Sequence, residues 1–222
     1  MNPTRVPRVK ICCISSLAEA ALAIEYGASA LGLVSPMPSG PGVISDLLIS
    51  EIAAIVPPAI GTFLLTSRQS VAGIIEQHRL CRTNTIQVCD HLSHGTHQDL
   101  KEALPGISIV QVVHVTGPES VDEAVQASLY TDAILLDSGN QKQAVKELGG
   151  TGRTHDWNLS RMIREKIGVP IFLAGGLTPE NVAQAVQQVA PFGLDVCSGV
   201  RSDGKLDAAK LERFFATVSA CR

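Results

Sequence analysis

Aromatic residues make up only 4% of the 222 positions, with five Phe, two Tyr and one Trp, so stacked rings cannot fill the interior. The core has to be built from Val, Ile, Leu and Ala, a composition that suits strands buried on both faces of a parallel sheet. Charged residues are also sparse at 18%, against 45% hydrophobic, which excludes a chain too polar to bury a core. There is no surplus of positive charge: the net charge is −3 and the pI near 6.1, so a nucleic-acid footprint is missing. No apolar run approaches the roughly 20 residues that cross a bilayer. The opening MNPTRVPRVK has charge but no apolar stretch behind it, so we expect neither a membrane span nor a secretory signal.

Paired metal-ligand spacing is absent as well. The six cysteines, at 12, 13, 81, 89, 197 and 221, follow no zinc pattern. Several lie in apolar strand-like runs, where cysteine acts as a small hydrophobe, and a reduced, cytoplasmic setting is the simpler expectation. His91, His94 and His97 are spaced by three, but Ser93 and Gly95 read as loop and no acidic or cysteine partner accompanies them. No metal site is expected.

What the chain does have is alternation. Short β-branched runs are followed by segments of helical spacing, the pattern of βαβ units on a parallel sheet. The runs are Val9–Ile14, Ala30–Val34, Ile60–Leu65, Thr85–Cys89, Ile107–Val113, Ala133–Leu136, Val169–Ala174 and Gly193–Cys197. The helices between and after them fall near Ser16–Tyr26, Asp46–Ile55, Val71–His78, Gln98–Leu104, Val121–Ser128, Asn158–Lys166, Pro179–Val189 and Ala208–Val218, with Gly27 where a helix-ending glycine belongs. Eight units with no compositional break suit a single (β/α)8 TIM barrel over 1–222. A doubly wound open sheet is the alternative that shows a similar rhythm.

In a barrel the reacting groups come from the C-terminal ends of the strands. Run one ends in Lys10-Ile11-Cys12-Cys13 and run six in Leu135-Leu136-Asp137. Gly175-Gly176 follows run seven, and Ser198-Gly199-Val200 follows run eight. Glycines there let backbone N–H groups approach an anion, and Gly150, Thr151 and Gly152, after run six, are placed to close over the same group. One Gly-Gly pair is ordinarily a tight turn, but three glycine-bearing loops at consecutive strand ends point to a phosphate. Asp137 reads either as a turn former or, withdrawn from water, as a general acid. Cys12 reads either as packing or, beside a phosphate or cation, as a thiolate base. Cys13, on the opposite face of an ideal strand, reads as packing.

Lys10-Ile11-Cys12, Leu135-Leu136-Asp137, Gly149–Gly152 with Asp156-Trp157, Leu173–Leu177 with Pro179-Glu180-Asn181-Val182, and Asp195–Val200 resemble, in order and over nearly the whole chain, the phosphoribosylanthranilate isomerase family. The resemblance implies an Amadori rearrangement in tryptophan biosynthesis. The residue matching Asp137 would protonate the ribose ring oxygen, and that matching Cys12 would remove the C2′ proton. The phosphate would rest on Gly150, Thr151, Gly152, Gly175, Gly176, Ser198, Gly199 and Val200. No cofactor is implied, because the amine nitrogen is the electron sink. The implied partner is a small phosphorylated sugar derivative, handled by a monomer or a homodimer.

Three positions depart from the family. Its Ser-Pro-Arg after strand two, whose arginine meets the anthranilate carboxylate, reads Gly40-Pro41-Gly42. Its Gln-Leu-His-Gly reads Gln87-Val88-Cys89-Asp90, and a basic residue on strand five appears as Gln111. Losing a bidentate arginine removes roughly 1.5–3 kcal/mol. Arg68, His114 or His91 would have to compensate, and the substrate-binding set becomes Lys10, Gln87, Arg68, His114 and Asp195. Two rivals follow: an isomerase or epimerase of the same ancestry acting on another phosphoribosyl amine or ribose phosphate, and a non-catalytic barrel that binds a phosphorylated metabolite.

Overall fold

In the computed structural model, which describes residues 6–38, 40–139 and 154–221, each apolar run becomes a strand and each periodic segment a helix. Strands β1 (Arg8–Ile11), β2 (Ala30–Val34), β3 (Gly61–Thr66) and β4 (Thr85–Val88) are each followed by a helix: α1 (Leu17–Glu25), α2 (Asp46–Ile55), α3 (Val71–Cys81) and α4 (His97–Ala103). The second half continues with β5 (Ser108–His114), β6 (Ala133–Asp137), β7 (Ile171–Leu173) and β8 (Gly193–Val196). Their helices are α5 (Glu119–Ser128), α6 (Trp157–Lys166), α7 (Val182–Val189) and α8 (Ala208–Ala220).

Every strand pairs in parallel with its neighbours in chain order, and β1 returns to β8 over four residues, from Arg8 opposite Gly193 to Ile11 opposite Val196. The sheet is therefore a closed (β/α)8 barrel, and the open doubly wound alternative is excluded. Helix starts follow the sequence: Ser16, Ser45, Ser70, Thr96, Asp156 and Asp207 each accept a backbone N–H in the first turn, at about 0.5–2 kcal/mol per cap. Gly27, at φ 101, ends α1, and the amides of Gly27 and Ala28 return to the Ile24 and Ala23 carbonyls.

Strand alternation divides the core in two. Ile11, Leu31, Leu64, Val113, Leu136, Leu173 and Leu194 face outward beneath the helices, while Ala30, Phe63, Leu65, Val110, Val112, Leu135 and Phe172 face into the barrel. Three of the five Phe serve the barrel interior: Phe63, Phe172 and Phe192 meet edge to face at 5.7 Å between successive rings. A Cβ on Gly193 would lie 2.5 Å from the Phe172 ring, so this β8 glycine makes room for it. No helix among the described residues is long and apolar enough to cross a membrane.

Three local features differ from the sequence expectation. β1 stops at Ile11 rather than Ile14, because Cys13 turns to φ 62, although the Cys12 amide still donates to the Val196 carbonyl at 2.8 Å. β7 is only three residues long. Behind β8 come a one-turn 3-10 helix (Ser198–Val200) and a small hairpin, β9 (Arg201–Ser202) with β10 (Lys205–Leu206), which no periodicity announced.

Candidate active site

The inward-facing positions near the C-terminal ends of the strands converge on one mouth. Pairing sets Lys10 of β1 level with Asp195 of β8, and His114 of β5 level with Asp137 of β6. Lys10 is wholly buried, and its ammonium lies 2.9 Å from Asp195 Oδ1, 3.7 Å from Cys12 Sγ and 5.2 Å from the centre of the Phe63 ring. Burial pulls the Lys10 pKa down, but Asp195 and Cys12 together outweigh it, so the ammonium is held above its ordinary value and stays charged. Charge developing on the Cys12 sulfur thus has a fixed cation beside it.

This cluster depends on a residue that the sequence reading passed over. A Cβ on Gly32 would lie 2.8 Å from Cys12 Sγ and 3.0 Å from Lys10 Nζ, so β2 must carry a glycine there. A lone glycine inside an apolar strand was the available signal.

Asp137 ends β6 in the same mouth, buried, with Oδ1 accepting the Ser138 N–H at 2.7 Å. Burial pushes its carboxyl up from 3.8 to about 6, against the downward pull of that N–H. Cys89, buried at the end of β4, has its thiol pushed up to about 12, first by burial and then by Cys12, with Lys10 opposing and Asp137 adding a small rise. One neutral thiol therefore feels both candidate proton carriers. Gln87 points inward below it and donates to Cys89 Sγ at 3.8 Å, while its Oε1 has no partner among the described residues.

The loops beyond β7 and β8 form the other wall. Gly175 and Gly176 take φ 84 and 60, a conformation glycine adopts at little cost. Asn181 ties this turn by donating to the Gly176 carbonyl at 2.9 Å and accepting the Thr178 N–H at 2.8 Å. Gly199 then packs directly on it: a Cβ there would lie 1.9 Å from the Leu177 carbonyl oxygen. The amides of Gly175, Gly176, Ser198 and Gly199 donate to no acceptor among the described residues. Four N–H groups on two touching loops form a cradle suited to an anion. Val200, expected among them, is instead buried in the outer core, and its N–H donates to the Cys197 carbonyl at 3.4 Å. Gly150, Thr151 and Gly152 lie outside the described residues.

Several expected contributors stand elsewhere. Arg68 is exposed, and its guanidinium donates to the Gly73 carbonyl on the first turn of α3 at 3.3 Å, so it does not face the mouth. Gln111 sits on the outward face of β5, donating to the Val88 and Val112 carbonyls and pairing with the His97 ring at 2.8 Å. Strand parity takes it away from any bound sugar. His91 and His94 are exposed on the β4–α4 loop and His97 opens α4; among the described residues no cluster of metal-ligating side chains forms. At Gly42, φ is 76 and a Cβ would lie 2.5 Å from Cys13 Cβ, so the loop after β2 rests on the turn after β1 and leaves no room for an arginine's first carbon. Cys13 is not outward packing: it joins Cys12 in the inner cluster, where hydrogen bonding with Cys12 and then Cys197 pushes its thiol up.

With this geometry in hand, comparison with known proteins gives a consistent result. The family model described as N-(5'phosphoribosyl)anthranilate (PRA) isomerase matches residues 9–217. An N-(5'-phosphoribosyl)anthranilate isomerase of Methanothrix thermoacetophila is 33% identical over 215 residues, 97% of this chain and 99% of that one. Among solved structures, the phosphoribosyl anthranilate isomerase of Thermotoga maritima has a TM-score of 0.80 at 28% identity, covering 96% of this chain and 98% of its own. A phosphoribosyl anthranilate isomerase solved with reduced 1-(o-carboxyphenylamino)-1-deoxyribulose 5-phosphate has a TM-score of 0.78 at 27% identity, with the same coverage.

Proposed function

The chain belongs to the N-(5'-phosphoribosyl)anthranilate isomerase family, and from that premise we propose that Asp137 and Cys12 divide the proton transfers of its reaction. It is an isomerase that converts N-(5'-phosphoribosyl)anthranilate to the 1-deoxyribulose 5-phosphate product by an Amadori rearrangement, a step of tryptophan biosynthesis.

Protonated Asp137 gives its proton to the ribose ring oxygen while the nitrogen lone pair breaks the bond from C1′ to that oxygen, leaving an open-chain iminium. Cys12 then takes the C2′ proton. The C2′–H electron pair becomes the C1′=C2′ double bond, and the iminium pair returns to nitrogen, giving an enolamine. Loss of the enol proton and protonation at C1′ give the ketone. Electrons leave through the nitrogen and come back through it, so the chemistry asks only for a placed acid and a placed base. A carboxyl that titrates at about 6 keeps a protonated fraction near neutrality, while the Lys10 ammonium offsets negative charge on the sulfur.

The observation that carries this reading is the buried Asp137 carboxyl and the Cys12 sulfur opening on one mouth, with the Lys10–Asp195 pair beneath. Beside them the amides of Gly175, Gly176, Ser198 and Gly199 hold the phosphate, and Gly150, Thr151 and Gly152, which lie outside the described residues, are assigned to the same group by the family resemblance. Gln87 and His114 line the side of the mouth that receives the aromatic amine, in place of the arginine that Gly42 excludes. The whole chain, 1–222, acts as one barrel unit in the cytoplasm, as a monomer or a homodimer. Consumption of phosphoribosylanthranilate, followed by its fluorescence, tests the assignment: Cys12→Ser and Asp137→Ala should each lower kcat by about a hundredfold to ten-thousandfold. An unchanged kcat in either variant removes that residue from its role.

A further inference from the structure

We propose that Arg201, seated by Glu19, is a positioning residue for the base: one guanidinium holds the turn that presents Cys12 to the substrate. The proposal rests on Cys12 being the base. Arg201 directly follows the 3-10 helix that carries the Ser198 and Gly199 amides, and its own side chain reaches back to the turn after β1. Its Nη2 donates to the Cys13 carbonyl at 2.6 Å and the Cys12 carbonyl at 3.3 Å. Its two terminal nitrogens also donate to Glu19, at 2.8 and 3.1 Å, and Nη1 reaches the Gly204 carbonyl at 2.9 Å.

Glu19 is held just as firmly. Its Oε2 accepts the Ser15 N–H and hydroxyl, each at 3.0 Å, and its Oε1 accepts the Leu206 N–H at 3.0 Å. Both side chains are mostly buried, 9% and 12% exposed, so the pair is a fixed strut rather than a solvated surface contact. The strut bears on a turn that needs support. Cys13 is a side-chain-bearing residue at φ 62, a conformation such residues rarely take, and Gly42 lies so near it that an added Cβ would fall 2.5 Å from Cys13 Cβ. The Cys12 amide is fixed from the other side by the Val196 carbonyl at 2.8 Å. The base is thus fixed through its N–H by β8 and through its carbonyl by the residue that follows the phosphate cradle. A guanidinium can span two carbonyls and a carboxylate at once because its donors form a rigid planar fork, which an ammonium lacks.

A side chain that fixes the sulfur's position acts on turnover and leaves substrate affinity nearly alone. With kcat expressed per folded molecule, well below the melting temperature, Arg201→Gln should lower it by roughly 10- to 100-fold, the scale of a small misplacement of a reacting group, with KM within about twofold. Glu19→Gln should act in the same direction, and Arg201→Lys should recover part of the loss. Iodoacetamide labelling read by mass spectrometry separates a local role from general support. In Arg201→Gln, Cys12 and Cys13 should label faster than in the parent, while Cys81, buried in the outer core at the end of α3, remains protected. Equal acceleration at Cys81, or an unchanged kcat in Arg201→Gln, overturns the positioning role. Cys12→Ser serves as the reference: if it is inactive and Arg201→Gln is not, only the positioning role falls, whereas an active Cys12→Ser removes the base assignment and the strut's purpose together.

Discussion

Replacing Asp137 with asparagine should make the protein more stable and nearly inactive, and the gain in stability should depend on pH. The carboxyl titrates at about 6 in the fold against an ordinary 3.8. At 1.36 kcal/mol per pH unit, that difference of about 2.2 units comes to about 3 kcal/mol. The sign follows from which state binds the proton more tightly. The raised value means the folded chain holds it more tightly, so this group favours folding fully below about 3.8, and that contribution is lost as pH rises through about 6. At pH 8 the wild type carries the whole cost of a buried carboxylate, whereas asparagine carries none and can still accept the Ser138 N–H through its Oδ1. Urea melts at pH 8 should therefore show Asp137→Asn more stable by up to about 3 kcal/mol, equivalent to about 6–12 °C in Tm for a chain of this size. At pH 4 the advantage should shrink to well under about 1 kcal/mol. A variant equally or less stable than the wild type at pH 8, or an advantage that does not change between pH 4 and 8, refutes the claim that Asp137 is kept protonated by burial. The same group should shape the wild-type rate: if Asp137 is the acid, kcat falls as pH rises above about 6.

Lys10→Met should cost about 3–5 kcal/mol, because it leaves the buried Asp195 carboxylate without its cation; the double variant Lys10→Met/Asp195→Leu should regain most of that stability in urea melts without regaining turnover. Gly199→Ala should raise KM by about tenfold to a hundredfold with a smaller change in kcat, since the new methyl must push the cradle away from the Leu177 carbonyl and loosens charge-assisted bonds of about 1.5–3 kcal/mol to the phosphate. Arg68→Ala should leave steady-state kinetics unchanged and stability within about 0.5 kcal/mol, because the guanidinium is exposed on α3.

Burial here works in opposite directions on neighbouring groups. Asp137 has a backbone N–H and a lesser pull from the Lys10 ammonium against it, so loss of water wins and the acid stays partly protonated. Lys10 is buried more deeply, yet the Asp195 carboxylate at 2.9 Å, helped by Cys12, reverses the result and keeps it charged. Two ionisable groups in one mouth thereby both hold a proton, Asp137 in part as a neutral acid and Lys10 as a cation.

The sequence alone determined the barrel's parts and the chemistry-bearing strand ends. Eight apolar runs separated by helical spacing, with Ser, Thr or Asp at most helix starts, are local signals, and local propensity and burial pattern decide them without reference to distant residues. Cys12, Asp137 and the glycines after β7 and β8 were legible for the same reason, since each stands at the end of a run whose direction the alternation sets. Closure of β1 on β8 was not local, and only the tertiary structure chose the barrel over an open sheet. Parity also needed coordinates: a motif position does not say which face of β5 carries Gln111, and hydrogen bonds to the Val88 and Val112 carbonyls place it outside. The contacts that prepare the base come from positions far apart in the chain, with Gly32 clearing space for Lys10 and Cys12, and Gly42 leaving room for Cys13. Arg201, 189 residues beyond Cys12, reaches its carbonyl from a hairpin that no periodicity announces. Period and composition fix which face of a segment is apolar, whereas the sub-ångström fit around a reacting sulfur is set by backbones that meet only when the ring of strands closes.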